Sequence, residues 1–304
     1  MSVYNERDSW LKESIESILK QSYSNFEFII VLDQPQNEVL KQIILEYAEI
    51  DNRVKLIVNE KNYGLVYSLN RALGIAQGDF IARMDADDIA THDRFEKQIN
   101  VLNQMGYDIV ASALQYIDEE GNNLGLSSCY GQTPEKCRNS LSHRSILAHP
   151  TWMFKREILN EIGLYHNVVT AEDYDFLCRA VSSGKNAINM PEILLKYRIR
   201  NNGISIGKAF QQQRTMYIIQ NEYKKTFEKS VKYNSRNVMS RTEKIDFNKR
   251  YSFFSYTTNI YKEACNLIKN NKIKGYILLP MSIVLNYHNL INLVSTKRLK
   301  EINR

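Results

Sequence analysis

The sequence has few of the features that mark a secreted, disulfide-linked or membrane-spanning protein. Its four cysteines lie far apart, with no C-x-x-C pair and no histidine at ligand spacing, so we expect neither a disulfide framework nor a structural zinc site. No apolar run reaches the length of about 18 residues that spans a bilayer, and residues 1–10 lack the apolar segment of a signal peptide. These absences favour a globular protein of the reducing cytoplasm.

An excess of one charge sign over the whole chain is also absent. The formal net charge of the 304 residues is +6, but residues 224–304 hold 17 Lys and Arg against 5 Asp and Glu, a charge of +12, which leaves −6 for residues 1–223. A nucleic-acid-binding surface spread over the whole chain is therefore excluded. We expect a body of residues 1–220 and a basic helical extension of residues 221–304.

The body begins with alternating helical and strand patterns. Apolar residues recur at helical spacing over 10–19, 39–50 and 65–76. Short apolar runs, typical of buried strands, lie between and after them at 26–32, 54–58 and 79–84. This alternation predicts an α/β fold with a doubly wound, mostly parallel sheet, in which ligands bind at the carboxyl ends of the strands. Further helices are predicted over 172–183, 209–227, 244–270 and 273–294.

Three carboxylates follow the predicted strand at 79–84, in the segment Asp85-Ala86-Asp87-Asp88. They repel one another unless a cation neutralises them, and hard oxygen ligands of this kind suit Mg²⁺ or Mn²⁺ together with substrate phosphates. A solvated acidic turn is the alternative, but the position at the end of a buried strand favours the metal. Asp33 follows the strand at 26–32, where it fits a ligand contact and a turn or helix cap equally well.

A second acidic group, Glu172-Asp173-Tyr174-Asp175, begins the helix predicted over 172–183. Capping and the helix dipole account for one or two of these acids, whereas a general base for an acceptor hydroxyl is the sharper interpretation. His149, which precedes Pro150, fits a structural role better than a catalytic one. Four arginines are candidates for diphosphate contact or for ordinary surface positions: Arg83, Arg94, Arg198 and Arg200.

Several segments, in one order, resemble the family 2 glycosyltransferases, which are inverting enzymes with the GT-A fold. The resemblance covers roughly residues 1–205 and is closest to bacterial enzymes that build capsular polysaccharide, exopolysaccharide or lipopolysaccharide. It rests on these segments: SVYNE (2–6), SILKQSYSNFEFIIVLD (17–33), NEKNYGLVYSLNRAL (59–73), GDFIARMDADDIATHDRFEKQ (78–98), HPTWMFKRE (149–157) and AEDYDFLCRA (171–180).

The resemblance implies roles for individual residues. Asp85 and Asp87 match the D-x-D pair, with Asp87 as the direct ligand of the Mn²⁺ or Mg²⁺ that bridges the diphosphate, and Asp88 behind them. Asp173 matches the catalytic base, and Glu172 supports it or contacts the acceptor. The other positions implied to bind the nucleotide-sugar are Tyr4, Glu6, Asp33, Asn62 and Arg83.

The implied function is transfer of a sugar, with a UDP-sugar as the favoured donor, to a growing and lipid-linked bacterial surface glycan. The alternative is a non-catalytic or degenerate partner in a polysaccharide assembly complex. A nucleotidyltransferase is disfavoured because SVYNERDSW is not a Gly-rich, basic phosphate loop. We expect a cytoplasmic protein, with the basic extension either on the inner face of the cytoplasmic membrane or packed on the body as a helical subdomain.

Two features depart from the family's pattern. A single acid, Asp33, follows the second strand where many relatives carry two, and Gln34-Pro35 replaces a Gly-Ser turn, which leaves the choice of nucleotide open. Relatives also begin with an apolar strand before the S-x-Y-N loop, whereas Met1 stands almost at that loop here. We therefore expect that the sequence is truncated at its N-terminus or starts at a misassigned codon.

Overall fold

A computed structural model of the chain describes residues 1–104, 106–127, 131–168, 170–200 and 209–244, together with positions 260, 263, 267, 274 and 278. The described part is an α/β fold with two sheets and helices packed against both. The helices predicted over 244–270 and 273–294 lie almost entirely outside the described residues.

The first sheet consists of three parallel strands in the order β1-β2-β3, with Ser2 opposite Val31 and Phe28 opposite Val54. All five residues of β2 are buried, as the continuous apolar run predicts. Helices alternate with these strands, and the bounds of α1, β2, α2, β3 and α3 lie within two residues of the predicted ones. The elements are β1 (Ser2–Val3), α1 (Asp8–Leu19), β2 (Phe28–Leu32), α2 (Glu38–Ile50), β3 (Val54–Val58) and α3 (Leu65–Ile75).

The second sheet has the order β4-β8-β6-β9-β5, and β7 pairs with β6 at its side. The pair β6 and β9 is parallel, whereas β4 with β8 and β5 with β9 are antiparallel. The alternation of helices and strands along the sequence does not predict the antiparallel pairs, because β8 lies far from β4 in the sequence. The strands are β4 (Phe80–Ala82), β5 (Ile89–Ala90), β6 (Ile109–Ile117), β7 (Asn123–Leu126), β8 (Met153–Lys155) and β9 (Ala187–Arg198).

The remaining helices cover the second sheet and extend the core towards the C-terminus. The predicted boundary at residue 220 falls inside α8, and Tyr223, Tyr233 and Val238 are buried in the same apolar cluster as Trp152 and Phe176. The basic extension therefore shares a core with the body through the last described helix. These helices are α4 (Arg94–Gln104), α5 (Pro134–Ser140), α6 (Leu159–Ile162), α7 (Glu172–Ser182), α8 (Ala209–Glu228) and α9 (Ser235–Glu243).

Strand β1 is shorter than its neighbours, and its two residues come from the segment expected to form a loop. An isolated parallel bridge joins Ser2 to Asp85, so β1 lies between β2 and the end of β4. A cavity of about 530 Å³ continues the line of β1 backwards, between β2, β4 and the apolar face of α3.

Candidate active site

The 85–88 loop connects β4 to β5 and is fixed through its backbone. The carbonyl oxygen of Asp85 accepts a hydrogen bond from Ser14 Oγ at 3.2 Å, and Asp85 also forms the bridge to Ser2. Its Oδ1 lies 2.6 Å from Nη2 of Arg83. The Arg83 side chain is buried, and its Nε and Nη1 have no hydrogen-bond partner in the described part of the chain. Two buried donors are therefore available beside Asp85.

Asp87 is held by an arginine from a distant part of the chain. Its Oδ2 lies 2.8 Å from Nε of Arg200, whose Nη1 is 3.9 Å from Oε1 of Glu6. Burial and the Asp85 carboxylate raise the pKa of Asp87 to about 6, although Arg200 acts in the opposite direction. The structure thus brings together Glu6, Asp85 and Asp87.

Asp88 is completely buried behind the loop. Its Oδ1 accepts a hydrogen bond from the backbone N–H of Arg198 at 2.9 Å, and burial raises its pKa well above the usual value. The Arg198 side chain donates to the carbonyl of Asp87 and to Glu13. Arg94 donates to Gln98 and to the carbonyl of Arg83. Both arginines therefore hold the framework, and Arg83 and Arg200 are the two that pair with the D-x-D carboxylates.

The second acidic group opens α7. Burial, with the Asp173 carboxylate, raises the pKa of Glu172 to about 7, and burial raises the pKa of Asp173 as well. The charge of Arg83 lowers both pKa values and the charge of Asp85 raises both. Because the same two side chains act on the beginning of α7 and on the 85–88 loop, the two carboxylate groups face one site.

The residues around the start of α7 differ in what they do. Asp175 points into the core, where it pairs with Arg179 at 2.9 Å and accepts a hydrogen bond from Tyr233 Oη at 3.0 Å, so it is structural.

Thr170, two residues before Glu172, has a positive φ of 59°. A branched residue rarely adopts this conformation, and such strain clusters at functional sites. The sequence pattern gives no indication of this backbone conformation.

His149 and Tyr165 form a buried wall beside the acids. Nε2 of His149 lies 2.8 Å from Tyr165 Oη, and the imidazole contacts the Trp152 ring edge-on at 4.7 Å between centroids. Burial and the charge of Arg83 hold the pKa of His149 well below its usual value, so the ring is neutral. No sequence motif marks Tyr165, yet burial and the charges of Asp173 and Glu172 all raise its pKa.

The residues assigned to the nucleotide lie around the carboxyl ends of β1 and β2. The Asp33 carboxylate accepts hydrogen bonds from Asn59 Nδ2 at 2.6 Å and from the N–H groups of Tyr63 and Gly64 at 2.9 and 2.8 Å. It anchors the loop before α3, in which the exposed Asn62 also accepts from Gly64 N–H. Within the described residues the Asp33 carboxylate thus stabilises a loop. This is the turn or helix-cap role, one of the two roles that the sequence left open.

Tyr4 lies at the open rim of the same edge. Its side chain is exposed, while its backbone N–H donates to Oε2 of Glu6 at 2.8 Å. Because Val3 and Leu32 are paired, Tyr4 and Asp33 leave the sheet at the same edge. Tyr4 and Asp33 therefore lie at the same edge, with Glu6 beside Tyr4, and the Asp33 carboxylate is engaged within the protein.

The loop carboxylates fit a hard divalent cation. Asp85 and Asp87 supply oxygen ligands of the type that Mg²⁺ and Mn²⁺ prefer. Within the described residues there is no group of three or more His, Cys, Asp or Glu side chains arranged to hold a metal. A cation at this loop would therefore take its other ligands from substrate phosphates and water, as is usual for Mg²⁺.

Residues 1–163 match the family model described as "Glycosyl transferase family 2". The chain belongs to this family. The glycosyltransferase is 37% identical over 218 residues to an uncharacterised glycosyltransferase of Methanocaldococcus jannaschii, covering 71% of this chain and 75% of that protein. It is 33% identical over 196 residues to the O-antigen biosynthesis glycosyltransferase WbnJ of Escherichia coli, covering 64% of this chain and 76% of WbnJ.

Solved structures share the fold of this glycosyltransferase at low identity. The mannosyltransferase PcManGT of Pyrobaculum calidifontis, in complex with GDP-Man and Mn²⁺, matches with a TM-score of 0.57 at 15% identity and covers 99% of this chain and 84% of its own. S. aureus TarS 1–349 in complex with UDP-GlcNAc matches with a TM-score of 0.57 at 16% identity, covering 92% and 89%. These likenesses confirm the predicted GT-A fold of the chain.

Proposed function

We propose that this glycosyltransferase transfers a sugar, with inversion, from a nucleotide-diphosphate donor to an acceptor hydroxyl. Asp85 and Asp87 would hold a divalent cation at the diphosphate, and Asp173 would take the proton of the acceptor. The observation that carries the proposal is the meeting of two unlike carboxylate groups at Arg83. One group is paired with arginines at the end of β4, and the other opens α7 with raised pKa values.

The donor side is built to offset negative charge. When bound, Mn²⁺ or Mg²⁺ would neutralise the charge that develops on the leaving diphosphate. Nε and Nη1 of Arg83 have no partner in the described residues, so they are free to donate two charge-assisted hydrogen bonds to the donor. Tyr4, Glu6 and Asp33 lie at the strand ends proposed to receive the base and ribose, with Asn62 in the adjoining loop.

The acceptor side is built to accept a proton. Glu172 and Asp173 are adjacent and buried enough that their pKa values rise, and Glu172 titrates at about 7. Like charges this close resist ionising together, so Glu172 releases its proton at a higher pH than an ordinary glutamic acid does. The ionised partner, assigned here to Asp173, deprotonates the acceptor, and Glu172 orients it. A single displacement on the face opposite the leaving group inverts the anomeric centre.

The names of the relatives guide the choice of substrate. The names of the relatives include O-antigen biosynthesis in Escherichia coli and amylovoran biosynthesis in Erwinia amylovora, while the TarS complex contains UDP-GlcNAc. We infer a UDP-sugar donor and a growing surface polysaccharide, carried on a lipid, as the acceptor. Contact with the inner face of the cytoplasmic membrane would come from the basic residues 224–304, which lie largely outside the described residues.

The membrane contact is peripheral in this proposal. None of the helices that the structure describes is both long and apolar enough to cross a membrane. A flotation assay with anionic vesicles tests the contact, because a variant with Lys262, Lys269, Lys272 and Lys274 changed to Glu should lose binding. Equal flotation of the variant and the wild type would remove this part of the proposal.

A donor screen tests the function itself. Hydrolysis and transfer are measured with UDP-, GDP- and dTDP-sugars, with Mn²⁺, with Mg²⁺ and with EDTA. We expect turnover with one nucleotide class and loss of turnover in EDTA. Full activity in EDTA would contradict the role of the metal. The alternative of a non-catalytic partner predicts no turnover with any donor, although the retention of Asp85, Asp87 and Asp173 in one site argues against it.

A further inference from the structure

Arg200 occupies the position at which a cation would bind Asp87. Its Nε lies 2.8 Å from Oδ2 of Asp87, and its Nη1 lies 3.9 Å from Oε1 of Glu6. Asp87 and Glu6 are nearly buried, and the guanidinium supplies a positive charge beside both acids. A metal ion and Arg200 would therefore compete for the carboxylate of Asp87.

The two arginines of the loop differ in their freedom to move. The Arg83 side chain is 7% exposed and emerges beside β4 next to its partner Asp85, so its pairing is fixed by the sheet. Arg200 is 30% exposed, lies two residues beyond the end of β9 and approaches Asp87 from the rim of the site. Arg200 is therefore the arginine that can leave its carboxylate without unpacking the core.

A donor diphosphate would offer Arg200 a new partner. Arginine pairs with phosphate through two parallel N–H···O bonds, and these are as favourable as its pairs with carboxylate. Departure of Arg200 towards a phosphate would expose Oδ2 of Asp87, the oxygen that it now holds. Without a diphosphate, the departed guanidinium would have no anionic partner and would also lie close to a metal of the same charge sign. Both effects are unfavourable.

On the basis of the proposed function, we propose that Arg200 couples metal binding to donor binding. In the donor-free enzyme Arg200 neutralises Asp87 and weakens the attraction of Asp87 for a divalent cation. With the donor present, Arg200 pairs with the diphosphate and Asp87 becomes available to the cation. Because the coupling between two ligands is reciprocal, the cation then strengthens nucleotide binding by the same factor.

The test measures Mn²⁺ affinity directly, by electron paramagnetic resonance of free Mn²⁺, without nucleotide and with saturating UDP or GDP. Arg200→Gln removes the competing charge and keeps a hydrogen-bonding side chain. Arg236→Gln, exposed on α9, makes the same change of net charge away from the site. Arg200→Lys retains the charge, and the melting temperature of each variant verifies that it is folded.

The proposal expects Arg200→Gln to bind Mn²⁺ about tenfold more tightly than the wild type without nucleotide, a difference of about 1.4 kcal/mol. The factor by which UDP or GDP tightens Mn²⁺ binding should shrink correspondingly. Arg236→Gln should stay close to the wild type in both measurements, and Arg200→Lys, which keeps the competing charge, should do so without nucleotide. Unchanged or weaker Mn²⁺ binding by folded Arg200→Gln without nucleotide overturns the coupling and leaves the function standing. Absence of Mn²⁺ binding in every protein, with either nucleotide, contradicts the metal-dependent function itself.

Discussion

The two carboxylate groups of the site are compensated in opposite ways. In the 85–88 loop, Asp85 pairs with Arg83 and Asp87 pairs with Arg200. At the start of α7, Glu172 and Asp173 pair with no basic side chain in the described part of the chain, and burial raises both pKa values. The loop acids are poised to exchange one positive charge for another, whereas the α7 acids are poised to take up a proton.

The difference shows how neighbouring acids acquire separate tasks. A carboxylate with a mobile cationic partner can exchange that partner for a metal, whereas a buried carboxylate without one suits proton transfer near neutral pH. Arg83 stands between the groups, since it pairs with Asp85 and also lowers the pKa values of Glu172 and Asp173. Removing members of one group should therefore disturb one task and spare the other.

The largest effect is expected from Asp173→Asn. General-base catalysis contributes about 10²- to 10⁴-fold, so the transfer rate should fall by a factor in this range. The affinities for Mn²⁺ and for the nucleotide should stay within about threefold of the wild type, because the loop acids are untouched. Steady-state kinetics with the donor found in the screen, together with calorimetric titration of UDP or GDP, measures both quantities. Unchanged transfer would remove the proposed base.

Arg83→Lys is expected to have the next largest effect. Lysine keeps the positive charge beside Asp85 but loses the planar fork whose Nε and Nη1 lack partners in the described residues. The KM for the donor should rise about 10- to 100-fold, as expected for the loss of one charge-assisted hydrogen bond. Arg53→Lys, which alters a fork paired with Asp51 outside the site, is the control. Equal KM values for both variants would contradict a donor contact by Arg83.

Glu172→Gln should change the pH dependence of transfer. The base must be ionised, and burial raises the pKa of Asp173, so the rate of the wild type should fall with decreasing pH at a higher pH than an ordinary aspartate would give. Glu172 has a pKa of about 7 in the folded protein, and its ionisation should add a second inflection to kcat/KM. The variant has no carboxyl group at position 172, so it should keep the acid limb of Asp173 and lose the inflection near pH 7. An inflection near pH 7 that persists in the variant would assign it to another group.

The smallest expected effect is on stability. The pKa of Glu172 is about 7 in the folded protein, above its unfolded value near 4.5, so the folded state binds the proton more tightly and loses stability as the pH rises from about 4.5 to 7. Glu172→Gln should therefore melt about 2–4 °C higher than the wild type at pH 8 and match it near pH 4.5. Glu49→Gln, exposed on α2, is the control. A gain in melting temperature at both pH values would assign the effect to packing.

Much of the fold and of the site follows from local patterns. Buried apolar runs and helical spacing predict the strands β2, β3 and β4 and the helices α1, α2 and α3, because each pattern acts within a few residues. The acids at the end of β4 and at the start of α7 are visible for the same reason. The antiparallel pairing of β4, the role of Asp33 in the loop before α3, and the partners of Arg94, Arg198 and Arg200 depend on contacts between distant segments, which a single sequence does not specify.

The first strand shows the limit of the resemblance. Ser2 and Val3 match a loop in the family's pattern, yet they pair with Val31 and Leu32 because the apolar edge of β2 is available to them. The helix α9, which no pattern predicted, forms because Val238 and Tyr233 find a buried position against α8 and α7. In both cases tertiary packing decided a structure that local propensity left open.

The most direct test compares Asp87→Asn and Asp173→Asn in one Mn²⁺ titration with UDP or GDP present, followed by a transfer assay on the same samples. The account expects Asp87→Asn to lose both metal binding and transfer, and Asp173→Asn to bind the metal normally and lose transfer alone. Normal transfer by Asp87→Asn, or loss of metal binding in Asp173→Asn, would contradict the division between a cation-binding and a proton-accepting carboxylate group.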